Sequence, residues 1–248
     1  MSNFILITSK EKSSGTNQNF KIKFSNPIEN IKGVKISKIS IPNSWYSVMT
    51  GINDKIYFTE TTNWVATLTQ GVYTFADLAT MISTAMNTAY TTDNNFSCTF
   101  SSLTYKYTVS HSATNFSLTF GTNTTASARG LMGYSATDTG AATSHIANNL
   151  ANLNYSDNIL IKSRNLSGRN AYINGVKKNI IFPLKCNGNF GDWLMYESQG
   201  DDYEIHYSPP RQFDTLDFTL LFEDATTEIP LNGLDWSITL KFIKGNAD

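Results

Sequence analysis

The stretch that decides the fold is "VKISKISI", residues 34–41. An apolar residue at every second position is typical of a strand with one face on a core and one face in water. The apolar residues of this stretch are Val34, Ile36, Ile39 and Ile41. The first two have the opposite parity to the last two, so a regular strand would expose one pair. A β-bulge or bend near Ser37 and Lys38 keeps both pairs buried, and such a bend lets one strand serve two sheets.

The same period of two recurs along much of the chain, with aromatic and β-branched residues at the apolar positions. The alternating segments are "FKIKF" (20–24), "FSCTF" (96–100), "YKYTV" (105–109), "FSLTF" (116–120), "LDFTLLF" (216–222) and "WSITLKF" (236–242). In "NIIFPL", Pro183 indicates a sheet edge or a strand end. The pattern predicts roughly ten antiparallel strands, and several long connections favour a Greek-key sandwich over a simple meander.

One segment has helical spacing instead. "TFADLATMISTAMNTAY" begins with Thr74 and Asp77 in a capping-box-like arrangement, and its apolar residues recur every three or four positions. We predict one amphipathic helix on a β scaffold. Residues 121–158 are rich in Thr, Ala, Gly and Asn, and we interpret them as a long insertion that contains a short helix at "RGLMGY".

The composition excludes several classes of function. Charged residues make up 16% of the 248 residues, and the formal net charge is -1. The chain therefore lacks the excess of positive charge that binding to a nucleic-acid backbone requires. Ser, Thr and Asn make up about a third, so the surface is polar and neutral. No segment reaches the roughly 18 apolar residues of a membrane helix. We expect no nucleic-acid partner and no membrane span.

Catalytic residues were sought among the acids, histidines and cysteines. Two predicted loops carry acids that could form the catalytic pair of a hydrolase. The acids are Asp201, Asp202 and Glu204 in the first loop, and Glu223, Asp224 and Glu228 in the second. Solvated turn acids are the commoner state of such residues. The three histidines are scattered, and Cys98 and Cys186 lack a neighbouring base in sequence. We therefore predict no enzyme activity, no metal and no cofactor.

Aromatic residues at loop or strand ends carry more information. In the loop 43–53, Trp45 and Tyr46 follow a proline turn. Such residues either close the end of a sandwich or contact another molecule. The candidate subunit-interface residues are Asn43, Trp45, Tyr46, Arg129 and Arg211.

The order of motifs resembles the penton, or minor capsid, proteins of virophages and related polinton-like double-stranded DNA viruses. The resemblance covers residues 20–242 and rests above all on "GVYTFADL" (71–78) and "LNGLDWS" (231–237). It implies a single jelly roll of two four-stranded antiparallel sheets. It also implies that five copies form a homopentamer at each fivefold vertex of an icosahedral capsid, assembled inside the host cell. The implied partners are further copies of this chain and the major capsid protein, with a host receptor as a further candidate.

For the domain organisation, we expect a flexible arm over residues 1–19 and a single jelly-roll domain over residues 20–248. Two alternative functions remain open. A carbohydrate- or receptor-binding module would use Trp64, Trp193 and Tyr196 as an exposed platform beside acids, and a β-sandwich hydrolase would use the loop acids named above.

Overall fold

The computed structural model describes residues 2–167, 171–173, 176–200 and 204–245. In chain order its elements are β1 (Ser2–Thr8), a 3-10 turn (Ser9–Glu11), β2 (Ser14–Gly15), β3 (Asn19–Pro42), β4 (Lys55–Thr59), β5 (Asn63–Thr67), α1 (Phe75–Ala89), β6 (Phe96–Ser101), β7 (Lys106–His111), β8 (Ser117–Leu118), α2 (Arg129–Met132), β9 (Ser144–Ile146), β10 (Asn158–Lys162), β11 (Ala171–Ile173), β12 (Val176–Lys178), β13 (Ile180–Lys185), β14 (Trp193–Glu197), β15 (Glu204–Phe222) and β16 (Ser237–Lys244).

The chain folds into two compact units. The split unit comprises Met1–Trp45 and Ser156–Asp248, and the inserted unit comprises Tyr46–Tyr155. The sequence predicted one domain over residues 20–248, and this stays a prediction; the structure has two compact units within that range. The predicted insertion, residues 121–158, is only the last part of a longer insert. The reason is that residues 46–155 bury a hydrophobic cluster of their own, which periodicity alone does not assign to a separate unit.

Two long strands give the split unit its two sheets. The first half of β3 pairs with the end of β15, and its second half pairs with β16 on one side and with β14 and the start of β15 on the other. The first sheet therefore has the order β1, β16, the second half of β3, then β14 with the start of β15. The second sheet has the order first half of β3, end of β15, β10, β13.

Counted as eight strand segments along the chain, the first sheet has the order 1-8-3-6 and the second has 2-7-4-5. This is the connectivity of a jelly roll. The predicted fold class, an all-β jelly roll of two four-stranded antiparallel sheets with an amphipathic helix, is confirmed. The sheets pack through rings on their inner faces, such as Phe182 with Tyr196 and Phe213 with Phe242.

The bulge predicted in residues 34–41 is confirmed. Ile36 lies opposite Leu240 and Lys38 lies opposite Thr239, so Ser37 is the extra residue in β3. As a result Val34, Ile36, Ile39 and Ile41 are each at most 1% exposed. Pro183 also lies where it was expected, in the edge strand β13.

The first residues of the chain form part of the jelly roll. Strand β1 pairs with β16 without any shift of register, from Ser2 opposite Ile243 to Thr8 opposite Ser237. The side chain of Ile7 is 3% exposed. Where the sequence predicted a flexible arm over residues 1–19, the structure thus has an edge strand at residues 2–8, and Ile5 and Ile7 supply its inner face. The sequence pattern did not reveal this because its apolar residues occur at both parities.

The helix prediction is confirmed in its start and in its buried face. The Thr74 hydroxyl accepts a hydrogen bond from the Asp77 backbone N–H and donates one to the Asp77 carboxylate. The buried residues of α1 are Leu78, Ala79, Ile82, Ala85 and Met86. They pack in the inserted unit against the small sheets β5-β4-β8 and β6-β7-β9.

The short helix predicted at "RGLMGY" is α2, and Gly133 ends it with a φ of +75°. A Cβ atom there would lie 2.5 Å from the Asn149 carbonyl oxygen, so only glycine fits. Nearby, the Asp138 carboxylate accepts backbone hydrogen bonds from Gly121 and Thr122 at 2.7 and 2.9 Å.

The strand position of residues 2–8 is tested by a pair of adjacent substitutions. Ile7→Ala removes a buried side chain and is expected to destabilise the protein by about 2–4 kcal/mol. Leu6→Ala, at an outward position that is 68% exposed, is the matched control and is expected to change stability by less than about 0.5 kcal/mol. Urea unfolding measures both. Equal, small effects would support a flexible arm instead.

The Asp138 carboxylate is expected to stabilise the inserted unit at neutral pH and to lose this effect in acid. Hydrogen bonds from the Thr122 hydroxyl and from the backbone N–H groups of Thr122 and Gly121 lower the pKa of Asp138. A lowered pKa stabilises the fold above the pKa of the unfolded chain, about 3.9, and this contribution is lost as the pH falls through the folded value. We expect Asp138→Asn to be less stable than wild type at pH 7 and the difference to shrink below pH 4. Urea unfolding at both pH values tests this, and a pH-independent difference would contradict it.

Candidate functional site

The loop after β3 anchors its first residues inside the split unit. The Asn43 amide donates to the Gly188 carbonyl at 2.8 Å, and the Asn43 backbone exchanges hydrogen bonds with Asp192 and Gly191. Trp45 is 6% exposed and its ring meets that of Phe222 edge-on at 6.0 Å. These contacts hold the loop against the end of the sandwich. They leave little of Asn43 or Trp45 for a neighbouring subunit.

The other three predicted interface residues lie elsewhere. Tyr46 is half-buried and begins the inserted unit. Arg129 is half-buried at the start of α2. Arg211 is exposed on the split unit, with its guanidinium 4.6 Å from the Tyr207 ring centroid. Asn43 and Trp45 therefore lie in the same anchored loop of the split unit, whereas Tyr46 and Arg129 belong to the inserted unit. Their role in a subunit interface stays a prediction.

The residues considered for catalysis have structural partners. In His111, Nδ1 accepts the Thr114 backbone N–H at 2.9 Å, so Nε2 is the atom that donates to Asp93 at 3.0 Å. The ring nitrogen Nε2 of His145 donates to the Phe116 carbonyl at 2.8 Å. Burial raises the pKa of Cys98 to about 12 and also raises that of Cys186. Both thiols therefore stay protonated at neutral pH and are poor nucleophiles.

The acids proposed for a hydrolase fall into separate loops. Asp201 and Asp202 lie outside the described residues. Glu204 contacts His206 at 3.5 Å. Glu223 accepts from Asn158, and Glu228 accepts from Asn19. Within the part of the chain that the structure describes, no group of three or more His, Cys, Asp or Glu side chains could hold a metal ion. No described helix is long and apolar enough to cross a membrane.

Two of the three aromatic residues proposed as a platform do not share a face. Trp193 and Tyr196 lie on β14, where an odd separation places them on opposite faces of the strand. Trp193 is 55% exposed, whereas Tyr196 packs against Phe182 with ring centroids 4.5 Å apart. Trp64 belongs to the inserted unit and packs edge-on against Tyr90 at 5.4 Å. Trp193 and Tyr196 therefore do not form the coplanar arrangement that a sugar platform requires.

The outward face of the first sheet carries apolar residues at both of its edges. Phe4 and Leu6 on β1 are 63% and 68% exposed, and Trp193 and Met195 on β14 are 55% and 74% exposed. The strands between them present Ser, Thr and Lys side chains. An open groove of about 400 Å³ on this face is lined by Phe4, Lys35, Ser37, Lys38, Glu197 and Lys241, among others. Lys38 pairs with Glu197 at 2.8 Å, and the Lys241 ammonium lies 5.6 Å from the Phe4 ring centroid.

Of these four edge residues, sequence reasoning named only Trp193 as exposed and missed Phe4, Leu6 and Met195. The signal was present in "NFILIT" and "WLMYE", since each segment carries large apolar side chains at both parities. A strand of that kind is normally covered on both faces.

A solved structure shares this fold along the whole chain. The chain is similar to the penton protein of mavirus, with a TM-score of 0.51, 8% identity, and coverage of 98% of this chain and 99% of that one. The fold is penton-like. No protein-family model and no curated protein matches the sequence. At this identity the likeness speaks for the fold alone.

Two tryptophans of the split unit, Trp45, which is buried, and Trp193, which is exposed, are expected to respond differently to substitution. Trp45→Ala is expected to destabilise the protein by about 3–5 kcal/mol, because it empties a buried site against Phe222. Trp193→Ala is the control and is expected to change the free energy of unfolding of the monomer by less than about 1 kcal/mol. Urea unfolding at low protein concentration measures both values. A stable, correctly folded Trp45→Ala variant would show that the ring is not part of the core.

Proposed function

We propose that the protein is a structural capsid subunit of the penton type, which forms a homopentamer at the fivefold vertices of a virus particle. The observation that carries the proposal is the shared fold with the mavirus penton protein over nearly the whole of both chains. The motif order that resembles the virophage and polinton-like pentons gives the same answer independently of the structure.

The physical properties of the chain suit this role. A ring subunit needs two different flanks that fit each other, because a heterologous contact repeats head to tail until it closes. A surface with a net charge of -1 and a third of its residues polar and neutral does not repel its own copies. His111, His145 and several of the acids are held in structural hydrogen bonds, and burial keeps the two thiols protonated, which supports a role that is not enzymatic.

The proposed partners follow from this position. A vertex subunit shares a ring with four further copies of itself, contacts the two on either side and the surrounding major capsid protein, and is located in the virion. A host receptor is a further candidate. The proposed role as a carbohydrate-binding module has less support, since Trp193 and Tyr196 form no common platform.

The mass of the purified full-length protein tests the proposal. Native mass spectrometry and light scattering across protein concentration, at low and moderate salt, are expected to detect a species of five times 27.6 kDa. Because each contact is weak alone, the pentamer fraction should rise steeply with concentration. A stable dimer or trimer would contradict a penton, and so would a strict monomer when mixed with the other capsid proteins of the same virus.

A further inference from the structure

We propose that strand β1 of one copy pairs with strand β14 of the next copy, so that the first sheets of neighbouring subunits join edge to edge. The inference rests on the proposed ring of identical subunits and names the surfaces through which that ring closes. It follows from the two edges of the first sheet, both of which lie in the split unit.

The first argument is that neither edge is protected. In monomeric proteins an edge strand usually carries a lysine, a proline or a bulge, because an unprotected edge can form hydrogen bonds with a strand of another chain. Strand β1, with the sequence "SNFILIT", has no charged residue, no proline and no register shift. Strand β14 has one charged residue, Glu197 at its end, which pairs with Lys38 of its own sheet. Among the described residues, no strand pairs with the outer edge of either.

The second argument is the match of their side chains. Phe4 and Leu6 on β1, and Trp193 and Met195 on β14, all point outward from the same sheet. In antiparallel pairing, directly opposite residues share a face. In one register of the two strands, Phe4 lies opposite Met195 and Leu6 lies opposite Trp193. In that register the four exposed side chains form a single apolar stripe across the seam.

The third argument is strand direction. Along the first sheet β1, β16, β3 and β14 alternate in direction. When a second copy is added head to tail, its β1 therefore runs antiparallel to the β14 it meets, and the alternation continues without a break. The contact joins two different surfaces, which is the requirement for a ring.

The size of the contact favours a ring over a dimer. A strand of five residues is about 17 Å long, so one seam covers only part of the ~800 Å² per partner that a stable dimer uses. In a closed ring each copy makes two such seams, and all of them must break together. We expect assembly to be cooperative, with few intermediates.

Engineered disulfides test the pairing in the full-length protein. The double variants Phe4→Cys with Met195→Cys, and Leu6→Cys with Trp193→Cys, are expected to give a non-reducing ladder that ends at five chains after mild oxidation. Within one copy the two strands are three spacings apart, about 14 Å, which is too far for a disulfide. The ladder can therefore come only from neighbouring copies. The other two combinations, Phe4→Cys with Trp193→Cys and Leu6→Cys with Met195→Cys, report a register shifted by two residues.

Three controls separate the possible outcomes. Single cysteine variants should give no ladder, and dimers from one of them would indicate a twofold contact and overturn the proposal. Thr239→Cys with Met195→Cys tests an outward position on the central strand β16, and a ladder from it would indicate packing of sheet faces instead. The wild-type protein measures the background from Cys98 and Cys186.

The failure of this pairing can be told apart from the failure of the proposed function. A wild-type pentamer without a ladder in any of the four double variants overturns the edge pairing and leaves the penton function standing. A wild-type protein that stays monomeric even when mixed with the other capsid proteins of the same virus, with no ladder from the variants, overturns both. As an independent measurement, Leu6→Lys should raise the concentration needed for pentamers at least tenfold, whereas Thr239→Lys should leave it nearly unchanged.

Discussion

The fold depends on one constraint, which is that strand β3 must bury residues of opposite parity in a single pass. Without the extra residue at Ser37, either Val34 and Ile36 or Ile39 and Ile41 would face water. Burying the second pair is worth several kcal/mol, more than the lost ladder hydrogen bonds at one bulge. The bulge therefore sets the register of β3 against β16 and β14, and through them the whole first sheet.

The long strands explain why the two sheets act as one cooperative body. Both β3 and β15 pass from one sheet to the other, so a disturbance in either sheet reaches the other through continuous backbone as well as through packed side chains. The change of sheet is gradual in β15, where the register shifts three times between His206 and Thr215. Aromatic rings pack in the interior between the two sheets, which β3 and β15 connect covalently. Examples are Phe20, Phe218 and Trp236.

Periodicity predicted much of this fold and for definite reasons. Some features can be recognised from a short stretch of sequence. The half-buried strands, the bulge in β3 and the helix show it through the spacing of their apolar residues. The edge proline and the helix cap show it through residue type. Two features cannot be recognised in this way. Strand β1 is apolar at both parities, so its inner and outer faces cannot be told apart by pattern. The boundary at Trp45 falls inside a well-packed loop with no composition change, since a compact insert needs no flexible linker.

The candidate surface was harder to predict for a related reason. For Trp45 the sequence left two positions open, the end of the sandwich or a contact with another molecule, and the structure packs the ring onto Phe222. Trp193 was expected in an exposed platform with Trp64 and Tyr196, whereas the structure places it with Met195 on the outward face of an edge strand. Exposure at an edge is decided by which strands are present on either side, and pairing order is a property of the whole topology rather than of any local segment.

The two residues that flank the insert contact neighbouring residues of the split unit. Trp45 packs on Phe222, and the Ser156 hydroxyl accepts a hydrogen bond from the backbone N–H of Glu223 at 3.0 Å. The sandwich completes its eight strand segments without any residue from 46–155. We therefore expect that stretch to be replaceable as a module while the scaffold keeps its geometry. A short engineered hairpin, or a foreign domain whose termini lie close together, should be accepted at the same junction.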